Sequence, residues 1–242
     1  MNLFNKVILK LKIETRFLLE QKWGLVKAGN EIIPKNKLRK FIPANAVIID
    51  AGAHIGADSV ELARMFPSAT IHCFEPVPAI YSFLLHNTRR CSNIKCFDMA
   101  LSNESGHAKM YVSAGGSDAS SSLQKPADHL ADHSDVTFEK EIQVRTKSLD
   151  DWARDNKISK VDFLWLDMQG HELEVLKAST LILPTIKAIH TEVSLKNTYE
   201  NAPLYKDYKS WLESEGFHVE IEAIPDGADM GNVLFVKNGL GT

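Results

Sequence analysis

The chain has 242 residues, of which 44% are hydrophobic and 24% charged, and its formal net charge is −3. These values are typical of a globular protein with one large core, and the slight acidic excess argues against a nucleic-acid-binding surface. The three cysteines, Cys73, Cys91 and Cys96, have neither the even number of a disulfide framework nor the spacing of a zinc site. We therefore expect a reducing, cytoplasmic location.

Residues 1–45 are expected to form a helical arm ahead of a main domain at residues 46–242. Lysines alternate with apolar residues over residues 1–30, as on an amphipathic helix, and no apolar run approaches the roughly 20 residues of a membrane span. The arm is expected to pack on the domain. The alternative is that its basic face contacts a membrane surface.

Apolar runs and helical stretches alternate in the first half of the main domain. They predict strands at residues 46–50, 70–74 and 94–100 and helices at residues 57–66 and 78–90. Residues 103–146 interrupt this order with two antiparallel strands, 109–112 and 142–145, and a serine-rich loop between them. Long loops inside compact domains are often functional.

The alternation returns with strands at 161–167 and 186–193 and helices at 172–178 and 204–215. Residues 217–224 and 232–237 then form a closing hairpin around a Pro-Asp-Gly turn. Strands separated by helices predict an α/β fold with a doubly wound, mostly parallel sheet. The hairpin adds one antiparallel strand at or near the edge of that sheet.

The loop after the first strand carries Asp50, Gly52, His54 and Gly56. Glycines permit a tight turn and close approach of a ligand, but the GxGxxG spacing of dinucleotide enzymes is absent. A carboxylate at Asp50 would repel a pyrophosphate and would suit the ammonium, sulfonium and ribose groups of S-adenosylmethionine (SAM). Glu75, followed by Pro76, ends the second strand, where an acid can accept from two ribose hydroxyls.

Six segments in order resemble the FkbM-type family of class I methyltransferases, over roughly residues 45–238. They are VIIDAGAHIG (47–56), CFEP (73–76), ALS (100–102), VRTKSLDDW (144–152), DFLWLDMQGHE (162–172) and NVLFV (232–236). The resemblance implies a seven-stranded Rossmann-like sheet, SAM as cofactor, and methylation of a hydroxyl on a sugar, glycan or related small metabolite. It places Asp50 and Gly52 at the methionine part of SAM, Glu75 at the ribose, and Asp98 with Met99 at the adenine.

The acceptor hydroxyl needs a base, because an alcohol is a poor nucleophile until its proton leaves. Asp167, at the end of the fourth long strand and beside the cofactor, is the first candidate; His171 and Glu192 follow. The family's usual Asp-x-Glu-Gly-x-Glu segment has Gln169 in place of its first glutamate here. We therefore expect no metal ion, although Asp167, His171 and Glu192 have suitable ligand chemistry.

Two other functions stay open at this point. One is a nicotinamide-dependent oxidoreductase on the same fold, and the other is a non-catalytic module that binds SAM or a glycan. Acceptor specificity is expected to lie in the arm and in the loop 113–135, where His129 and His133 could meet a substrate.

Overall fold

The computed structural model describes residues 33–127 and 135–240. The predictions for the arm 1–30 and for His129 and His133 lie outside the described residues. A 3-10 helix, Lys35–Lys40, precedes the first strand. Within the described ranges, no helix is both long enough and apolar enough to cross a membrane.

The described residues contain ten strands, β1 to β10 in chain order. Seven form the main sheet: β1 Val47–Ala51, β2 Thr70–Phe74, β3 Ile94–Phe97, β7 Phe163–Leu166, β8 Ala188–Ser194, β9 Phe217–Ala223 and β10 Met230–Lys237. The other three form a small second sheet: β4 Ala100–Leu101, β5 Gly106–Gly115 and β6 Val136–Lys147.

The main sheet has the strand order β3-β2-β1-β7-β8-β10-β9. Strands β3, β2, β1, β7 and β8 pair in parallel, whereas β10 is antiparallel to both of its neighbours. This confirms the predicted α/β class, with a Rossmann-like, doubly wound, mostly parallel sheet of seven strands and one antiparallel strand from the closing hairpin. Strand β1 is buried on both faces, as expected where helices cover both sides of a parallel sheet.

In the described part of the chain, five α-helices pack against the sheet: α1 Ala57–Met65, α2 Pro78–Thr88, α3 Leu149–Asp155, α4 Glu172–Ala178 and α5 Tyr205–Ser214. One core contains Trp152, Leu164 and Leu176. The other packs Ile48 and Leu62 with residues of the segment before β1. Successive side chains of β1 therefore point into different cores. Asp50, two residues after Ile48, points to the same core as Ile48.

The predicted third strand was too long. Strand β3 ends at Phe97, and Ala100–Leu101 pairs with β6 in the second sheet, whose order is β4-β6-β5. The antiparallel pair expected at 109–112 and 142–145 is present and extends further in both directions. The loop between β5 and β6 is brought to the carboxyl ends of β1, β2 and β7, where the site lies.

Candidate active site

A cleft opens at the carboxyl ends of β1, β2 and β7, the edge at which open α/β sheets bind their ligands. One part of its wall is apolar and the other part is polar and acidic. The lining residues are Gly52, His54, Phe74, Glu75, Pro76, Val77, Ala100, Leu101, Met110, Asp118, Ala119, Ser121, Leu123, Asp167, Met168 and His171.

Gly52 lets the loop after β1 pass directly over the end of β7. Its φ is +80°, and a Cβ at this position would lie 1.8 Å from the carbonyl oxygen of Asp167. The amides of Gly52 and Ala53 both donate to the carbonyl of Phe74, at 3.1 and 3.0 Å. No side chain fits here, so the requirement for glycine comes from both the backbone angle and the close approach.

Gly56 has a different role from the one expected. It caps the start of α1 with a left-handed φ of +84°, and a Cβ there would lie 2.7 Å from the Leu84 side chain of α2. Gly56 is not among the residues that line the cleft. The structure therefore assigns it to the packing of α1 on α2.

Glu75 is an acid of the cleft that two backbone amides anchor. Its Oε2 accepts from the His54 amide at 3.1 Å, and its Oε1 accepts from the Val77 amide at 2.7 Å. Burial of the carboxyl raises the pKa of Glu75 to about 7, although these two amides act in the opposite direction. Glu75 thus joins the loops after β1 and β2 and still lines the cleft.

His54 connects the loop after β1 to the outer wall of the cleft. It adopts a left-handed φ of 48°, uncommon for a residue with a side chain. Its Nε2 lies 3.2 Å from Oδ1 of Asp118, in the loop between β5 and β6. The serine-rich loop that the sequence marked as functional therefore forms one side of the cleft.

Asp50 lies beneath the glycine loop and not on the cleft wall. It points to the same face as Ile48, toward α1, where its Oδ2 accepts a hydrogen bond from the hydroxyl of Ser59. Burial raises the pKa of Asp50 to about 8. The sequence located the residue at the right strand end, but the side chain supports the loop from below.

Asp98 and Met99 do not line the cleft, and their contact with adenine stays a prediction. The chain leaves the main sheet after Phe97, and the exposed Asp98 carboxylate pairs with Arg145 of β6. Met99 lines a separate depression with Phe97 and Trp152. The next two residues, Ala100 and Leu101, reach the cleft instead.

Gln169 brings Asp167 and Glu192 together. This is the position at which the sequence differs from the family's usual Asp-x-Glu-Gly-x-Glu segment. The Gln169 amide nitrogen donates to Asp167 Oδ1 at 2.7 Å and to Glu192 Oε2 at 2.9 Å. Asp167 lines the cleft, whereas Glu192 lines a smaller neighbouring pocket beside β8. Asp167 is exposed and Glu192 is half-buried.

His171 lines the cleft, but both of its ring nitrogens are engaged. Nδ1 lies 3.1 Å from the Gln124 amide nitrogen, which can only donate, so Nε2 carries the proton and donates to the Ser102 hydroxyl at 3.0 Å. Burial lowers the pKa of His171. This neutral imidazole has no acceptor nitrogen left for a substrate proton while Gln124 stays in place.

Glu172 is a structural acid of the site to which the sequence analysis gave no role. Its carboxylate accepts from the amides of Met168 at 2.7 Å and Gly170 at 3.1 Å, and so holds the loop after β7. Burial raises the pKa of Glu172 to about 7. The sequence signal for this role was the position of Glu172 as the last acid of the segment DMQGHE (167–172).

The strand order, the antiparallel β10, the glycine loop after β1 and the acid after β2 together define the Rossmann-like class of SAM-dependent methyltransferases. The model of the methyltransferase FkbM domain matches residues 50–219. The chain belongs to the FkbM methyltransferase family. This membership removes the nicotinamide oxidoreductase from consideration.

Two relatives and one solved structure show the extent of the similarity. The chain is 31% identical over 159 residues to the 2-O-methyltransferase NoeI of Sinorhizobium fredii, covering 64% of this chain and 65% of NoeI, just under two thirds of its length. It is 26% identical over 203 residues to the methyltransferase sdnD of Sordaria araneosa, covering 74% and 76% of the two chains.

The solved structure is methyltransferase FkbM from Methylobacillus flagellatus KT. It superposes with a TM-score of 0.53 at 14% identity and covers 91% of this chain and 47% of that one. At this level of identity the likeness supports the fold alone.

Proposed function

We propose that this chain transfers the methyl group of SAM to a hydroxyl oxygen of a sugar, a glycan or a sugar-containing metabolite. The observation that carries the proposal is the placement of the exposed Asp167 carboxylate in the same cleft as the anchored Glu75. The similarity to a protein named as a 2-O-methyltransferase supports a hydroxyl acceptor.

The residues of the cleft fit SAM. Each Glu75 oxygen accepts one backbone amide and has a second lone pair, so the carboxylate can also accept from two ribose hydroxyls. Phe74, Leu101 and Met168 supply an apolar wall suited to the adenine ring. The loop around Gly52 is then the part of the cleft that would contact the methionine part of SAM.

The cofactor supplies a methyl group on a sulfonium, which is already an activated leaving group. The protein's task is then to orient the acceptor oxygen and to remove its proton. Asp167 can accept that proton because it is exposed at the cleft. His171 is less suited, since both of its ring nitrogens are hydrogen-bonded. Glu192 lies one pocket further away and can accept from another hydroxyl of the same substrate.

The test is Asp167→Asn, because the asparagine side-chain oxygen can still accept from Gln169 while the base is lost. A panel of glycans and hydroxylated metabolites is incubated with labelled SAM and analysed by mass spectrometry. We expect turnover to fall by about 100-fold or more, with SAM affinity by calorimetry within about twofold of wild type.

Asp226→Asn, on the exposed hairpin turn, is the matched control. Unchanged turnover in Asp167→Asn would remove this residue as the base. SAM binding by the wild type without methylation of any acceptor in the panel would favour a non-catalytic binding module.

A further inference from the structure

We infer that Gln169 is a positioning residue whose amide holds Asp167 and Glu192 together as two carboxylates. It thereby joins the SAM cleft to the pocket beside β8. The inference rests on the proposed function, in which Asp167 receives the acceptor proton. It gives a role to the one position where the chain departs from the segment usual in the family it resembles.

The hydrogen bonds of the Gln169 side chain use all of its polar groups. A primary amide has two N–H donors, and here the nitrogen lies 2.7 Å from Asp167 Oδ1 and 2.9 Å from Glu192 Oε2. The amide oxygen lies 2.9 Å from the hydroxyl of Tyr199. The reversed amide would turn an acceptor toward two carboxylates, so the network fixes which atom is nitrogen.

The backbone holds this side chain in place. Gln169 has a left-handed φ of 55°, and its carbonyl accepts from the Ser122 hydroxyl at 2.8 Å. The following residue, Gly170, has a φ of +95° and is held by Glu172 through its amide. Tyr199 is buried, and burial raises the pKa of its hydroxyl, which keeps it protonated. Its one proton is shared between two acceptors at 2.9 Å, the Gln169 amide oxygen and the Ser120 carbonyl.

A carboxylate at position 169 would have a different effect. It would place three acids within hydrogen-bond distance, and such a cluster needs a shared proton or a cation to be stable. The amide of Gln169 supplies two donors to the carboxylates, so this site needs neither a shared proton nor a cation. The pair can then act in two places: Asp167 on the hydroxyl to be methylated, and Glu192 on a second donor of the acceptor in the neighbouring pocket. This arrangement suits a substrate with several hydroxyl groups.

The test compares Gln169→Glu with wild type by carbon-13 NMR titration of the side-chain carboxyl groups, in protein saturated with SAM. The added acid should share a proton with its neighbours. We therefore expect Gln169→Glu to show one more carboxyl group than wild type that titrates about one pH unit or more above the ordinary glutamate range, in addition to the raised titrations of Asp50, Glu75 and Glu172. Gln143→Glu is the matched control, since Gln143 is exposed on β6. Its new carboxyl should titrate in the ordinary range.

Gln169→Ala serves as a second variant in case the glutamate disturbs the fold. It removes both donors and adds no charge, so the titration of Asp167 or Glu192 should move upward by about half a pH unit or more. If both variants titrate like wild type and the control, the inference is wrong. It is separable from the proposed function, because the base assignment fails on the turnover of Asp167→Asn and this inference fails on the titration.

Discussion

Replacement of Glu75 by glutamine tests the centre of the proposed cofactor site. In wild type each carboxylate oxygen accepts one backbone amide, from His54 at 3.1 Å and from Val77 at 2.7 Å. A glutamine keeps one acceptor and turns an NH₂ group toward the other amide. An unsatisfied buried donor costs about 1–3 kcal/mol, and a hydrogen bond to a charged group contributes about 1.5–3 kcal/mol.

We therefore expect Glu75→Gln to raise the Kd for SAM by about 10- to 100-fold at pH 8, measured by calorimetry. Denaturant unfolding of the same variant separates the cost to the loops from the cost to binding. Glu104→Gln, on an exposed turn, provides the same chemical change away from the cleft. Wild-type affinity in a correctly folded Glu75→Gln would refute the ribose assignment.

The pH dependence of binding gives a second readout of Glu75. Burial raises its pKa to about 7, so the carboxylate that we propose to accept from the ribose hydroxyls is present above that pH and is lost below it. SAM affinity should fall as the pH drops from 8 to 6, by at most about tenfold per pH unit. Glu75→Gln should remove this dependence, and a variant that keeps it would show that another group is responsible.

Two further predictions concern the loop after β1. Gly52→Ala places a Cβ 1.8 Å from the Asp167 carbonyl oxygen at a φ of +80°. It should lower the free energy of unfolding by about 2–4 kcal/mol in urea titrations. A loss below about 0.5 kcal/mol, as for an ordinary surface substitution, would contradict the close approach of Gly52 to Asp167. The pKa of Asp50 is raised from 3.8 to about 8 in the folded state. The folded state therefore binds more protons than the unfolded state, and stability should decline as the pH rises from about 4 to about 8, by up to about 1.4 kcal/mol per unit. Asp50→Asn should flatten this slope, and an unchanged slope would exclude Asp50 as its cause.

Much of the fold follows from local patterns. Strand β2 has the predicted bounds because an apolar run is ended sharply by Glu75-Pro76, and helix α4 has the predicted bounds as well. The end of the third strand was wrong, because an apolar pattern does not say which sheet a residue joins. Ala100 is buried in the second sheet, so its apolar character is satisfied there.

The site was predictable to the level of strand ends but not of side-chain direction. Ligands bind at the carboxyl ends of parallel strands, and this rule correctly brought Glu75 and Asp167 to one cleft. Side chains alternate along a strand, and Asp50 follows Ile48 onto the face covered by α1. The partners of His171 could not be predicted, because Gln124 and Ser102 come from segments distant in sequence.

Carboxylates of Glu75, Glu172 and Asp50 hold the loops of this cleft in place. Glu75 ties the loop after β1 to the loop after β2, Glu172 holds the loop after β7, and Asp50 fixes Ser59 under the glycine turn. Such contacts restrict the conformations of the loops, which reduces the conformational entropy lost when a ligand binds. Burial of Asp50 and Glu172 costs stability when these acids ionise, although their hydrogen bonds act in the opposite direction. Substitutions that remove this cost at Asp50 or Glu172 are therefore expected to loosen the geometry that the proposed SAM site needs.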